Sequence, residues 1–276
     1  MRARRLVPAF LGVCMSLVIT ATPAAAVRAP LTDGFTTSAT PGAVAVQVGT
    51  DVSYPQGGRV LGAPGALGIV GVDGGKPFDP NPCLAEQIAW ARLAGPPTYY
   101  ANTANPGARL SGHWPVGRTW PRRCARAATD TTDCAFDYGW IAAADSLRRV
   151  RAAAARAGAA APTRSTWWLD VEVHNTWEAL VHGPRPRLLA NDTAVLAGMT
   201  AYLHRQGVRR VGVYSTTEQW FRITGGATLD KAPVWYAGAG PLAAARSHCT
   251  PDHSFTGGPV RLAQFVTNGL DADLVC

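Results

Sequence analysis

Residues 166–177 read T-W-W-L-D-V-E-V-H-N-T-W, and this stretch places two carboxylates, Asp170 and Glu172, one residue apart within an apolar and aromatic run. Carboxylates resist burial because desolvating a charge is costly unless a partner compensates it. The whole chain of 276 residues contains only four glutamates, so composition alone does not explain a glutamate at this position. The stretch therefore predicts a strand whose acids have a specific use.

Side chains alternate along a strand, so Asp170 and Glu172 point the same way, with alpha carbons roughly 6.7 Å apart. Trp168 and His174 share this face, and we expect His174 to be a hydrogen-bonded neighbour of the acids. The opposite face is apolar and should pack against helices; it consists of Trp167, Leu169, Val171 and Val173. We expect the acids to line the inside of a closed sheet, where barrel enzymes place their active sites.

Strand-like and helix-like segments alternate along the rest of the chain, which is typical of a parallel α/β sheet. About eight strands and fewer helices predict an irregular TIM-like (β/α) barrel as a single domain. The predicted strands cover residues 43–53, 67–75, 97–105, 166–177, 210–216, 232–238 and 260–266, with a short last strand near 271–276. The predicted helices run from Asn81-Pro82 to Gly95, from Trp140 to Ala157, and from Asn191 or Asp192 to Gly207.

The N-terminal residues have the pattern of a secretory signal peptide. Three arginines precede an apolar run, and small residues then lead to a cleavage site expected after Ala26. We divide the chain into a signal peptide (1–26), a flexible leader rich in Pro, Thr and Ala (27–42) and a barrel domain (43–276). No later segment supplies the roughly 20 apolar residues of a spanning helix. The sequence predicts a secreted, extracellular protein.

The formal net charge is +8, and removing the three arginines of the signal peptide leaves about +5. Arginine supplies this charge, since Lys76 and Lys231 are the only lysines. A basic balance favours anionic partners such as an envelope polymer. No arginine stripe is interleaved with aromatics, and export disfavours nucleic acid, so we expect no nucleic-acid partner.

Cleavage would leave five cysteines, which favour disulfides in an oxidising compartment. We expect Cys249 to pair with Cys276, which would tie down the last strand. We expect Cys124 to pair with Cys134, which would staple one loop. These pairs do not involve Cys83, which should be buried near a helix start.

The stapled loop, residues 105–138, holds Trp114, Trp120 and several arginines. Two interpretations are open. The loop is either a solvated surface loop, or a lid over the barrel mouth whose tryptophans stack on sugar rings and whose arginines meet an anionic chain.

Asp51 ends strand one at the place where Asp170 and Glu172 end strand four, so three acids should converge on one mouth. Glycoside hydrolysis needs one protonated carboxyl and one negative charge near the sugar. Repulsion and desolvation among nearby acids raise one pKa and supply the protonated group. We expect Glu172 to be the acid, with Asp170 and Asp51 ionised around it. The alternatives are an acid pair satisfied by internal hydrogen bonds and a cation site.

Several short segments resemble glycoside hydrolase family 25, the secreted lysozymes that cut peptidoglycan. G-T-D-V-S-Y-P-Q (49–56) resembles the family's opening strand, and L-D-V-E (169–172) resembles its catalytic D-x-E. Four further segments occur in the family's order: V-G-V-Y-S-T (211–216), V-W-Y-A (234–237), A-Q-F (263–265) and L-D-A-D (270–273). Strand three departs from the family by ending in Y-Y-A-N-T-A-N in place of an aromatic–histidine pair. Gln264 lies between Ala263 and Phe265 rather than between tryptophan and tyrosine.

The resemblance implies an irregular eight-stranded barrel in which Glu172 is the proton donor, Asp170 its partner, and Asp51 and Asp271 supporting acids. It also implies that Tyr214, Trp235 and Gln264 line the sugar cleft. We add Asn102, on strand three, and Trp168, on the face of the acids, to the expected substrate-binding residues.

The sequence therefore predicts a secreted glycosidase that acts on cell-wall polysaccharide without a cofactor. The alternative is a non-catalytic glycan-binding or envelope protein on the same barrel. We expect no metal site, because H-C-T-P-D-H (248–253) matches no structural zinc spacing and no H-E-x-x-H is present.

Overall fold

The computed structural model describes residues 46–59, 61–125, 129–267 and 269–276. The expected signal peptide and leader lie outside the described residues. The eight strands close into a barrel in which each strand pairs with the next along the chain. They are β1 (Val48–Val52), β2 (Gly68–Gly71), β3 (Thr98–Asn102), β4 (Thr166–Asp170), β5 (Arg210–Ser215), β6 (Val234–Tyr236), β7 (Val260–Thr267) and β8 (Leu270–Val275).

Strands β1 to β7 are parallel to their neighbours, whereas β8 is antiparallel to both β7 and β1. This last strand distinguishes the barrel from a regular (β/α) barrel, in which all eight strands are parallel. The predicted irregular barrel is confirmed. The helices of the described part are α1 (Leu84–Ala91), α2 (Gly107–Leu110), α3 (Thr132–Arg156), α4 (Glu178–His182), α5 (Pro186–Arg205), α6 (Thr217–Thr224) and α7 (Leu242–His248).

The two faces of β4 lie as predicted. Trp168 packs inside the barrel with Ile69, Trp235 and Leu262. The opposite face packs against the helices through Trp167, Leu169 and Val171. The Trp168 indole lies against Gly212 of β5, where a Cβ atom would come within 2.3 Å of the ring. A residue larger than glycine at position 212 would therefore displace Trp168.

The predicted start of α1 was wrong by a few residues. The helix begins at Leu84 with Cys83 as its N-cap residue, and Cys83 is buried. The Asn81 side chain accepts a hydrogen bond from the Cys83 N–H at 2.9 Å and donates one to the Gly71 carbonyl at 2.7 Å. Asn81 thus precedes the helix and joins it to β2.

Two other helices begin earlier than predicted. α3 begins at Thr132, where the Thr131 side chain accepts a hydrogen bond from Cys134 N, a typical N-cap contact. α5 begins at Pro186, since proline is tolerated in the first turn of a helix. Asn191 and Asp192, predicted as caps, lie inside α5 and are fully buried.

Both predicted disulfides are confirmed. Cys124 pairs with Cys134, and Cys249 pairs with Cys276. The second bridge joins the end of β8 to the segment after α7, as expected.

The described residues of the segment 105–138 do not form a lid of tryptophans and arginines. The exposed Trp120 packs edge-on against Trp140 of α3, and the guanidinium of Arg205 in α5 lies over its ring. Arg122 pairs with Asp133 of α3 at 3.1 Å. The stapled part therefore covers the outer helices, and the surface-loop interpretation is supported. Of the described residues of this segment, Pro106, the stretch 110–113 and Tyr138 border the cleft at the barrel mouth.

Candidate active site

Asp170 is the last residue of β4, and Glu172 lies two residues beyond its end, although the strand was predicted to continue to residue 177. The register places Asp170 between Asn102 of β3 and Tyr214 of β5. Only 4% of Asp170 is exposed, whereas the Glu172 side chain is 23% exposed. Asp170 is thus the buried member and Glu172 the accessible member of one pair of acids at the mouth.

Asp170 is held by residues at the end of β3. The Asn102 side chain donates a hydrogen bond to Oδ2 of Asp170, and the Thr103 N–H donates to its main-chain carbonyl at 3.1 Å. The other carboxyl oxygen, Oδ1, accepts from no N–H or O–H donor within the described residues. Burial raises the pKa of Asp170 well above its ordinary value, and the adjacent Glu172 raises it further. This shift favours the protonated form of Asp170, which differs from the expectation that Asp170 is ionised.

Glu172 is positioned through its backbone. Its carbonyl accepts hydrogen bonds from the Trp177 indole at 2.9 Å and from the Asn175 N–H at 3.3 Å. The next residue, Val173, donates its N–H to the Gln219 side chain at 2.7 Å. His174 lies 3.4 Å from the Glu172 carboxylate, which agrees with its predicted place beside the acids.

Asp51 reaches the same mouth from β1 and is 7% exposed. The Gln264 amide donates to Oδ2 of Asp51 at 3.2 Å, and the Tyr214 hydroxyl donates to Gln264 at 2.7 Å. Burial, followed by the charge of Asp271, raises the pKa of Asp51 to about 7. The charge of Asp51 in turn contributes to the raised pKa of Asp170, so the first and fourth strands do bring their acids together.

Strand β8 contributes Asp271, which is partly buried, and Asp273, which is completely buried. Burial raises the pKa of Asp271. Burial and then the charge of Asp51 raise the pKa of Asp273 well above its ordinary value. Asp273 was not among the residues predicted from the sequence.

The predicted aromatic residues lie beneath the acids. Trp168 and Trp235 are 3% and 1% exposed, and their rings pack edge to face. The Tyr214 ring lies 4.5 Å from that of Trp235. Trp168 and Trp235 therefore form the floor of the site and present no open face to a ligand. Tyr214 and Gln264 connect this floor to Asp51.

Tyr100 and Asp73 complete the site and were missed. Tyr100 shares the inner face of β3 with Asn102, and burial, followed by the charge of Asp51, raises its pKa. Asp73 follows β2, is buried, and accepts a hydrogen bond from the Asn102 N–H at 3.2 Å. Burial raises the pKa of Asp73 to about 8. Alternation was a usable signal for both: Tyr100 shares a face with Asn102, and Asp73, which lies inside the predicted strand 67–75, shares a face with Ile69.

An open cleft of about 700 Å³ is lined by residues of the segments that follow β1 to β4, and Asp51, Asp170 and Glu172 are not among these lining residues. His174 lies on its border, and an aromatic wall forms where Phe78 stacks on His113 with ring centroids 3.9 Å apart. Phe78 has φ of 69°, a left-handed conformation that is rare for a bulky residue. Such strain is concentrated at functional sites, which supports a binding role for this wall.

No metal centre is visible: in the ranges that the structure describes, no three His, Cys, Asp or Glu side chains are grouped to hold an ion. In the same ranges, no helix has the length and apolarity needed to cross a bilayer. The acids are instead organised by amide, hydroxyl and backbone donors.

The sequence matches no protein-family model, and no curated protein matches it. Solved structures do match. A family GH25 lysozyme from Aspergillus fumigatus shares 17% identity and a TM-score of 0.55, over 84% of this chain and 94% of that chain. The spore cortex lytic enzyme SleM from Clostridium perfringens shares 13% identity and a TM-score of 0.50, over 84% of this chain and 67% of that chain. At these identities the likeness concerns the fold, and the chain has a barrel similar to that of the GH25 lysozymes.

Proposed function

We propose that this protein is an exported glycoside hydrolase that cleaves the glycan of peptidoglycan. The observation that carries the proposal is the Asp170–Glu172 pair at the barrel mouth, with Asp51 facing it from β1. The names of the similar proteins, a lysozyme and a spore cortex lytic enzyme, support peptidoglycan as the substrate. The two disulfides support an oxidising, extracellular location after removal of residues 1–26.

In the proposed reaction Glu172 gives a proton to the leaving glycosidic oxygen. Glu172 is the accessible member of the pair, whereas Asp170 is buried and hydrogen-bonded to Asn102. Because two adjacent carboxyls cannot both ionise easily, the pair retains a proton near neutral pH. Asp51 supplies negative charge that stabilises the positive sugar centre as the bond breaks, and the Asp170–Glu172 pair adds to it once Glu172 has released the proton that the two acids share.

Purified residues 27–276 incubated with isolated cell walls test the proposal. We expect the walls to clear and new reducing ends to appear, together with soluble muropeptides in mass spectra. Sedimentation of the protein with the walls, without any new reducing end over a range of pH, would instead support the non-catalytic glycan-binding alternative.

A further inference from the structure

Asp273 is a fully buried acid beneath the proposed catalytic groups. Its register partners are Gly49 of β1 and Gln264 of β7. Its neighbours in sequence, Ala272 and Leu274, pack in the cluster on the outer side of the sheet, so Asp273 points into the barrel. Asp273 has no exposed surface.

No donor in the described part of the chain makes a hydrogen bond to either carboxyl oxygen of Asp273. The Trp235 indole interacts with this carboxyl but does not reach hydrogen-bond geometry. An ionised carboxylate left in this position would carry the full cost of desolvation. Asp273 is therefore expected to be neutral in the folded protein.

Asp273 lies beside Gln264, its register partner, which donates a hydrogen bond to Asp51 at 3.2 Å, and the carboxyls of Asp273 and Asp51 interact with each other. Two carboxyls can hydrogen-bond only if one of them carries a proton. Asp51 already accepts a hydrogen bond from Gln264, and its contact with Asp273 favours its ionised form. Asp273 is accordingly the donor and Asp51 the acceptor.

The other titratable groups near this pair come from several strands. Asp271 lies on β8, Asp170 on β4, Tyr100 on β3 and Tyr214 on β5. All four are neutral or negative, and none supplies a positive charge to Asp51. The proton held by Asp273 is thus an important source of compensation, together with the Gln264 amide.

We propose that Asp273 is a positioning residue that stays protonated, donates a hydrogen bond to Asp51 and keeps Asp51 ionised and directed at the mouth. The catalytic part of this inference rests on the proposed function, whereas the protonation of Asp273 does not. The two parts can therefore be tested separately.

The protonation is tested by comparing the stability of the wild type with that of Asp273→Asn across pH. The asparagine amide is neutral and still donates a hydrogen bond. In the wild type, the folded chain must hold a proton that the unfolded chain releases above about pH 4. The urea midpoint of Asp273→Asn should therefore rise relative to that of the wild type as the pH increases from about 4 to about 8. A difference that is constant with pH, or one that turns against the variant, would overturn the proposal.

The positioning role is tested by comparing Asp273→Asn with Asp273→Leu. Leucine has no donor, so the ionised form of Asp51 loses support. The acid limb of kcat/KM should move upward by about one pH unit in the leucine variant, whereas asparagine should restore it to within a few tenths of a unit. If the acid limb of kcat/KM lies at the same pH in both variants, the positioning role of Asp273 is refuted even if the protein is a glycosidase. If leucine prevents folding, Asp273→Ser, whose hydroxyl is too short to reach Asp51 directly, replaces it with the same expected shift.

Discussion

Asn102 of β3 and Asp170 of β4 are register partners, and the side-chain amide of Asn102 donates a hydrogen bond to the Asp170 carboxyl. The backbone N–H of the same residue donates to Asp73 at 3.2 Å. Asn102 is only 6% exposed, and its side-chain amide is bonded to Asp170, so little of Asn102 is open to a ligand. This contact differs from the substrate-binding role expected from the sequence.

Replacing Asn102 by Ala should lower kcat and leave KM nearly unchanged. Losing a hydrogen bond to a buried acid costs about 1.5–3 kcal/mol, which corresponds to roughly a tenfold to hundredfold loss of rate. Steady-state kinetics on solubilised glycan, with thermal melts as a control for folding, measure both constants. A raised KM with normal kcat would show that Asn102 binds substrate instead.

The buried acids make stability dependent on pH. Burial raises the pKa from 3.8 to about 7 for Asp51 and Asp192 and to about 8 for Asp73. Between about pH 4 and about pH 8 the folded chain keeps protons on these groups that the unfolded chain has released. Their contribution to stability is therefore fully present below about pH 4 and is lost as the pH rises to about 8. His248, whose pKa burial lowers, opposes this trend with a single group.

Urea unfolding of the wild type at about pH 4.5 and about pH 8.5 measures this loss. The Asp73→Asn variant should show a smaller loss, because asparagine does not titrate. Asparagine can still accept from the Asn102 N–H and can donate to Ser146, which lies 3.3 Å from Asp73, so the fold should be kept. Stability that increases over this interval would contradict the assigned pKa shifts.

The Phe78–His113 wall should contribute to binding of long glycan chains. We expect His113→Ala to raise KM several-fold on polymeric peptidoglycan, because stacked aromatic surfaces contribute about 0.5–1.5 kcal/mol. Trp120→Ala is the matched control, since Trp120 is also exposed but packs on α3 and α5. Equal effects of the two substitutions would rule out a specific role for the wall.

The two disulfides should differ in what they stabilise. Cys249 and Cys276 are 27 residues apart, and replacing both by Ser should cost about 3.5 kcal/mol of unfolding free energy by the loop-entropy relation. Cys124 and Cys134 are 10 residues apart, and the corresponding cost is about 3 kcal/mol. Because the Cys124–Cys134 bridge lies over the outer helices, its loss should leave kcat unchanged at room temperature. A lower kcat with full stability would place that bridge in the site.

Much of the barrel could be predicted from alternation and from turn signals. The pattern around Asp170 has one apolar face and one face with acids, and this determines which side chains enter the barrel. Helix starts were harder, because they depend on contacts that a single sequence does not display. Asn191 and Asp192 have the residue types of caps, yet their side chains bond Glu178 and Asn105 from inside α5.

The functional site was predicted only in part, because some of its contacts are likewise not displayed by a single sequence. Asp51, Asp170 and Glu172 end strands and so are expected at the mouth. Asp273 was overlooked beside Asp271 because nothing in L-D-A-D indicates that one acid is open to solvent while the other is sealed beneath Asp51. Likewise, Trp168 and Trp235 were expected to meet sugar, but both are buried. Neighbouring strands of the closed barrel bury them, and the sequence of one strand does not display this.

The most direct test of the proposed chemistry compares Glu172→Gln with Glu218→Gln on purified cell walls. Glu218 lies on α6, its side chain is 80% exposed, and it pairs with Arg222, so it is a matched acid outside the site. We expect the wild type and Glu218→Gln to release reducing ends at equal rates, and Glu172→Gln, with an unchanged melting temperature, to be slower by a factor of roughly one hundred or more. Release by Glu172→Gln at the wild-type rate would contradict the assignment of Glu172 as the acid that cleaves the glycan.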